Sequence, residues 1–286
     1  MSDKMINLKL FPVLLFTPGN QPERFAKASE VGANGIIVDL EDSVPVEDKG
    51  RARDIAIDFY SRPRSNGVIS AIRINNLSTI NGIKDLAEII DKRPFIDMVL
   101  YPKTESQHDI NLISELLSEA YKDISIIALI ESAQGTSNLH DIVNCSSEKL
   151  QGLMFGAADY AADLNCECTP QALIWARMKM VEAAALKQIA CYDSPYFDFK
   201  DESGLVNELN EVRSLGFSGK AAIHPKQVKT IKISFRPTLD QYKEAKEIVR
   251  IYNESSGKAC QYEGRMIDIP IYSKAQQIIS KFNSLS

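Results

Sequence analysis

Six short stretches of the chain end an apolar run with side chains capable of chemistry. V-D-L-E-D supplies Asp39, Glu41 and Asp42, A-I-R-I-N supplies Arg73, and Y-P-K-T-E supplies Lys103 and Glu105. A-L-I-E supplies Glu131, F-G-A-A-D supplies Gly156 and Asp159, and A-I-H-P supplies His224. Glu131 and Asp159 are hard oxygen donors. Two carboxylates leave room for water and substrate oxygens around Mg²⁺, an ion that usually keeps an incomplete protein shell. The chain has 3 histidines, His108, His140 and His224, and the first two fall in helical patterns, so no imidazole set competes for a softer metal. The other use of Glu131 and Asp159 is to cap helices or to form ion pairs at loop starts. Arg73 alternates into a buried run, where an unpaired charge costs several kcal/mol. It therefore either holds an anionic oxygen of a ligand or makes a structural ion pair with Asp39 or Glu41, and the two uses are compatible.

These residues need elements to position them. Short β-rich runs separated by helix-length amphipathic stretches predict strands over 13–17, 35–40, 70–75, 98–102, 125–131, 153–156, 189–193 and 220–223. Several, such as G-I-I-V-D-L and S-I-I-A-L-I, are apolar on both faces, as strands of a helix-covered parallel sheet are. Helices are predicted over 22–31, 49–59, 79–91, 108–120, 139–146, 170–187 and 202–215. Eight alternations without an early G-x-G-x-x-G turn point to a closed (β/α)₈ TIM barrel over an open dinucleotide-binding sheet. In such a barrel the active site lies at the C-terminal strand ends, where all six polar stretches fall. Past about Val228 the pattern changes to helices over 239–252 and 272–282, read as a C-terminal helical extension. The expected division is a barrel over 1–230 and the extension over 231–286.

Composition narrows the class. A chain of 286 residues with 44% hydrophobic and 25% charged residues can bury a large core. A net charge of −5 gives no electrostatic reason to expect nucleic acid or an anionic membrane as partner. No run approaches the ~18 apolar residues of a membrane span. The start lacks the long apolar stretch of a secretory signal. The 5 scattered cysteines do not form a disulfide framework and are expected to be buried or half-buried thiols. The expectation is a soluble, cytoplasmic protein.

The same stretches resemble the citrate lyase β-subunit family, within the HpcH/HpaI aldolase superfamily, which includes malyl-CoA and citramalyl-CoA lyases. The resemblance runs from L-L-F-T-P-G-N-Q-P-E-R-F-A-K-A to G-R-M-I-D-I-P, through V-D-L-E-D-S-V, I-R-I-N, P-K-T-E-S, A-L-I-E-S-A-Q-G, F-G-A-A-D-Y-A-A-D-L and G-F-S-G-K-A-A-I-H-P-K-Q. It implies a TIM barrel, Mg²⁺ and a homotrimer or hexamer. By motif, Glu131 and Asp159 would hold the metal, with Glu131 and Gly156 also meeting substrate. Arg73 would contact substrate and stabilise an enolate, and Phe16, Arg24 and Lys27 would line the approach and meet the substrate or CoA phosphates. Asp268 would be the acid/base group, inserted by the C-terminal segment into a neighbouring subunit's site, although its residue type also suits a helix-start cap. Asp39, Glu41 and Asp42 would orient Arg73 and the metal's waters. The implied reaction is retro-Claisen cleavage of a 2-hydroxyacyl-CoA thioester, citramalyl-CoA first and malyl-CoA next, releasing a 2-keto acid. The alternatives are a citrate lyase β subunit acting on a citryl acyl carrier protein, a class II aldolase acting on free 2-keto acids, and a non-catalytic barrel serving as an assembly subunit.

Overall fold

A computed structural model describes residues 6–63, 67–255 and 257–284. The chain divides into two compact units, Met1–Lys232 and Ile233–Ser286.

In the first unit, strands and helices alternate as β1 (Val13–Pro18), α1 (Glu23–Glu30), β2 (Gly35–Asp39), α2 (Lys49–Phe59), β3 (Ile69–Arg73), α3 (Ile80–Lys92), β4 (Met98–Tyr101) and α4 (Gln107–Ser118). They continue as β5 (Ser125–Ile130), α5 (Ala133–Ser137), α6 (Leu139–Val143), β6 (Leu150–Phe155), α7 (Ala157–Asp163), α8 (Pro170–Lys187), β7 (Ala190–Asp193), α9 (Glu202–Leu215), β8 (Gly219–Ala222) and α10 (Pro225–Phe235). The eight strands pair in chain order and β8 returns to β1, all parallel, so the sheet closes into a (β/α)₈ barrel. Helix starts carry the caps that their orphan N–H groups require. Thr79, Ser106, Ser132, Thr169 and Asp201 each accept a hydrogen bond from the backbone two or three residues on.

The strand period of two sorts the side chains. Leu14, Ile37, Ala71, Leu100, Leu129, Met154, Tyr192 and Ala221 pack together inside the barrel. At its N-terminal end, a short 3₁₀ turn over Leu8–Leu10 closes the barrel, with Ile6 and Phe11 packed against the same cluster. The buried Tyr192 hydroxyl, inside the barrel, donates to the carbonyls of Leu8 (2.8 Å) and Phe11 (2.9 Å). Two steps further along the same inward rows come Phe16, Asp39, Arg73, Glu131, Gly156 and Ile223. The alternation that fills the core therefore also delivers polar groups to the open end.

The second unit contains α11 (Leu239–Glu254), a hairpin of β9 (Cys260–Tyr262) and β10 (Arg265–Ile267), and α12 (Ile269–Ser284). The long helices pack through stacked Tyr242–Phe282 and Tyr252–Tyr272 ring pairs at 4.2 and 4.6 Å. The hairpin, α5, α7 and α10 are additional to the predicted strands and helices. One thiol expectation is corrected: Cys145 and Cys191 are buried and Cys260 half-buried, but Cys166 and Cys168, in the loop between α7 and α8, are exposed. None of the described helices is long and apolar enough to cross a membrane.

Candidate active site

The C-terminal rim of the barrel opens into a cavity of 490 Å³ lined by Phe16, Arg24, Asp39, Asp42, Arg73, Glu131, Gly156 and Asp159, with Leu129 and Met154 beneath them. Seven of the eight rim residues come from the ends of five strands or the turns just beyond them, and Arg24 comes from α1. The ion pair expected of Arg73 is present. Its Nε and Nη2 donate to the two oxygens of Asp39 at 2.6 and 2.7 Å, and its Nη1 lies 2.9 Å from Glu41 and 3.7 Å from Asp42. The guanidinium also faces the Phe16 ring at 5.1 Å. A fork gripped on one edge by a carboxylate is fixed in orientation, and Arg73 in that position lines the cavity.

Asp39 is itself held. It accepts from the N–H groups of Glu41 (2.9 Å) and Ser43 (3.2 Å), which bend the D-L-E-D turn back over the end of β2. Burial alone would raise the Asp39 carboxyl, but the charge and hydrogen bonds of Arg73 bring it below the usual carboxylate range. From behind, the buried Lys49 ammonium donates to the carbonyls of Leu40 (2.8 Å) and Glu41 (2.7 Å), and Asn75 Nδ2 donates to Leu40 (2.9 Å). The turn carrying the acidic residues is thus tied down through the carbonyls of Leu40 and Glu41.

Glu131 has different surroundings. It is 4% exposed, follows the last residue of β5, and accepts one hydrogen bond, from the Lys103 N–H at 2.7 Å. Burial first, then the negative charges of Glu41 and Asp159, push its carboxyl up to about 8. Asp159, in the first turn of α7, shares both this cavity and an adjoining polar hollow with Glu131. Gly156 makes the approach possible. A Cβ there would meet Glu131 Cβ at 2.5 Å and Oε2 at 2.6 Å, so only glycine leaves space for the carboxylate. Burial raises the Glu41 carboxyl as well, and its Oε2, though beside Arg73, has no hydrogen-bond partner.

The rim therefore carries a surplus of buried negative charge and an unsatisfied oxygen. Hard oxygen donors in that state fit a divalent cation of the Mg²⁺ type. Among the described residues, no three His, Cys, Asp or Glu side chains converge on one cation position.

Lys27 lines a neighbouring hollow of 270 Å³ with Phe16, Arg24 and His224, and this hollow shares its Phe16–Arg24 wall with the main cavity. Asp268 lies in the second unit. There its Oδ1 accepts from Ile271 N–H (3.2 Å) at the start of α12, the cap its residue type allowed. One contributor was not singled out from sequence: Phe197, 54% exposed, lines the cavity from the loop after β7, and nothing in its sequence surroundings marks it. Lys103, expected at the rim for its side chain, also acts through its backbone, at φ 50 just after Pro102.

The HpcH/HpaI aldolase/citrate lyase family matches residues 13–225. A citrate lyase subunit beta of Haemophilus influenzae is 29% identical over 289 residues, covering 97% of this chain and 98% of that protein. An L-malyl-CoA/beta-methylmalyl-CoA lyase of Rhodobacter capsulatus is 31% identical over 294 residues, covering 93% of this chain and 92% of that protein. The protein CitE from Mycobacterium tuberculosis, solved in complex with magnesium, acetoacetate and coenzyme A, superposes with a TM-score of 0.80 at 27% identity, covering 95% of this chain and 98% of that one. The match spans the whole barrel, including every strand that reaches the acidic rim, and the chain belongs to the HpcH/HpaI aldolase/citrate lyase family and is a lyase.

Proposed function

We propose that this chain is a Mg²⁺-dependent carbon–carbon lyase that cleaves the CoA thioester of a 2-hydroxy acid, its hydroxyl α to the free carboxylate and β to the thioester carbonyl, by retro-Claisen chemistry, with citramalyl-CoA as first substrate and malyl-CoA as second. The observation that carries the reading is the buried Glu131 carboxyl, pushed up to about 8, opposite an arginine already locked by Asp39. Such a pair is costly without a ligand that supplies positive charge to one side and negative charge to the other.

Glu131 and Asp159 would hold the ion, and when bound it supplies Lewis acidity to the 2-oxygen of the acid. Arg73 meets the negative charge that develops on the thioester oxygen, and its grip on Asp39 means no reorientation is needed as that charge forms. In the cleavage direction, numbering from the free carboxylate, the 2-hydroxyl passes its proton to water in the open cavity and the bond between C2 and C3 breaks. The electron pair moves onto the thioester as an enolate, which takes a proton at carbon. Asp268 of a neighbouring subunit is assigned that proton transfer. The exposed Met266, Ile269 and Ile271 flanking it support insertion into another copy, because an apolar collar would seal the cavity around the acid. Phe16, Arg24 and Lys27 receive the carrier, with the two cations facing its phosphates. The reading places the chain in the cytoplasm as a homotrimer or hexamer.

A citrate lyase β subunit acting on a citryl acyl carrier protein is the second reading, supported by the near-complete mutual coverage with the Haemophilus influenzae protein. A keto-acid release assay on the purified chain with Mg²⁺ and (S)-citramalyl-CoA or malyl-CoA separates the two. Turnover is expected with both, faster with citramalyl-CoA. Silence on both while Mg²⁺ binds transfers the assignment to the carrier-protein substrate.

A further inference from the structure

Lys103 does two things at once. It takes a left-handed backbone conformation, φ 50, immediately after Pro102, a geometry that lysine adopts rarely. In that conformation its N–H donates to Glu131 Oε1 at 2.7 Å, while its ammonium reaches back across the rim to Glu41 Oε1 and lies 3.6 Å from Asp42. One residue thus holds a carboxylate on β5 through its main chain and a carboxylate beyond β2 through its side chain. Glu41 is held by Lys103 on one oxygen, and its other oxygen, 2.9 Å from Arg73, accepts no hydrogen bond. Its side chain is 6% exposed, so it has no route to bulk water as an alternative.

Glu41 shares Lys103 with Glu131, one on its ammonium and the other on its N–H, and the Glu41 charge bears on Glu131. A third carboxylate on a Mg²⁺ ion raises affinity through added charge and fills a position a substrate oxygen needs. We propose that Lys103 is a positioning residue that keeps Glu41 out of the metal's shell, so that the ion is held by Glu131 and Asp159 alone and stays open to two oxygens of the acid. The inference rests on the metal reading above. It departs from the ordinary expectation that removing a residue from an active site weakens what binds there.

The test is titration of Mg²⁺ alone into the purified full chain, followed by titration of pyruvate into the Mg²⁺-loaded protein. Lys103→Met is expected to bind Mg²⁺ about tenfold more tightly than wild type and pyruvate at least about tenfold more weakly. Lys103→Arg, which keeps the cation, is expected to restore both. Adding Glu41→Gln to Lys103→Met is expected to return Mg²⁺ affinity to the wild-type level, because the competing carboxylate is gone. If Lys103→Met does not fold, Lys103→Gln, neutral but still a donor, carries the same comparison. Unchanged or weaker Mg²⁺ binding in the neutral variants overturns the proposal, as does tighter Mg²⁺ with pyruvate binding intact. A wild-type chain that binds no Mg²⁺ overturns the metal reading itself, a result distinct from an unresponsive variant.

Discussion

The barrel contains two buried clusters of charge, and they are built on opposite principles. One lies between β7, β8, α8 and α9, on the outward face of the sheet. There Arg177 donates to both oxygens of Asp193 at 3.0 and 3.2 Å and contacts Glu208 at 3.2 Å, while the Lys220 ammonium bonds Asp193 and Glu208. Two cations meet two anions, Lys220, Asp193 and Arg177 are sealed from solvent, and the cluster borders none of the cavities described above. The other lies at the inward rim, where Asp39, Glu41, Asp42, Glu131 and Asp159 face Arg73 and Lys103. Charge neutrality marks the first as architecture. Imbalance beside a cavity marks the second as a place where something else must complete the set.

Substitutions break this contrast in opposite directions. Glu131→Gln is expected to lower turnover by about 10⁴-fold or more, since it removes one of two carboxylates available to the metal. The folded state is expected to survive, as read by thermal melts beside the cleavage assay. Lys220→Met is expected to do the reverse. Leaving Asp193 buried against a single remaining cation should cost about 3–5 kcal/mol in urea unfolding, while kcat of the molecules that do fold stays near wild type. A loss of kcat without loss of stability in Lys220→Met would erase the distinction between the clusters.

A smaller effect sharpens it. Glu131 is raised from 4.5 to about 8 in the folded chain, so the stability associated with its proton is fully present below about 4.5 and is lost as pH rises through about 8. In EDTA, the wild type should therefore lose stability relative to Glu131→Gln across that window, by on the order of a few kcal/mol. Saturating Mg²⁺ at pH 9 should reverse the sign of the difference. Denaturant melts of the two proteins at pH 5 and pH 9, with and without metal, measure it. A difference that stays flat with pH would mean that Glu131 is no more strained than the carboxylates of the neutral cluster.

The barrel was legible in the sequence because parallel strands buried on both faces leave continuous apolar runs, and all eight predicted strands overlap observed ones. Rim residues were legible for the same reason: Arg73 and Glu131 end apolar runs where nothing polar belongs. The β9–β10 hairpin was not. Its strands are 3 residues long, and its turn runs through Glu263 and Gly264, both at positive φ, where Asn-Gly is the usual signal. The neutral cluster was hidden as well, since Arg177 and Glu208 sit in helices whose patterns give them no cause to point inward, and only the packing of α8 against α9 brings them to Asp193. Nor could spacing reveal that Lys103 acts on Glu131 through its N–H, because a backbone conformation of about 1–3 kcal/mol in strain leaves no trace in residue type.

The packed layer of Leu14, Ile37, Ala71, Leu100, Leu129, Met154, Tyr192 and Ala221 makes the cavity above it a blind well with a floor of side chains, and the 3₁₀ turn that Tyr192 fastens covers the same layer from below. Whatever enters such a well deepest is the last able to leave it.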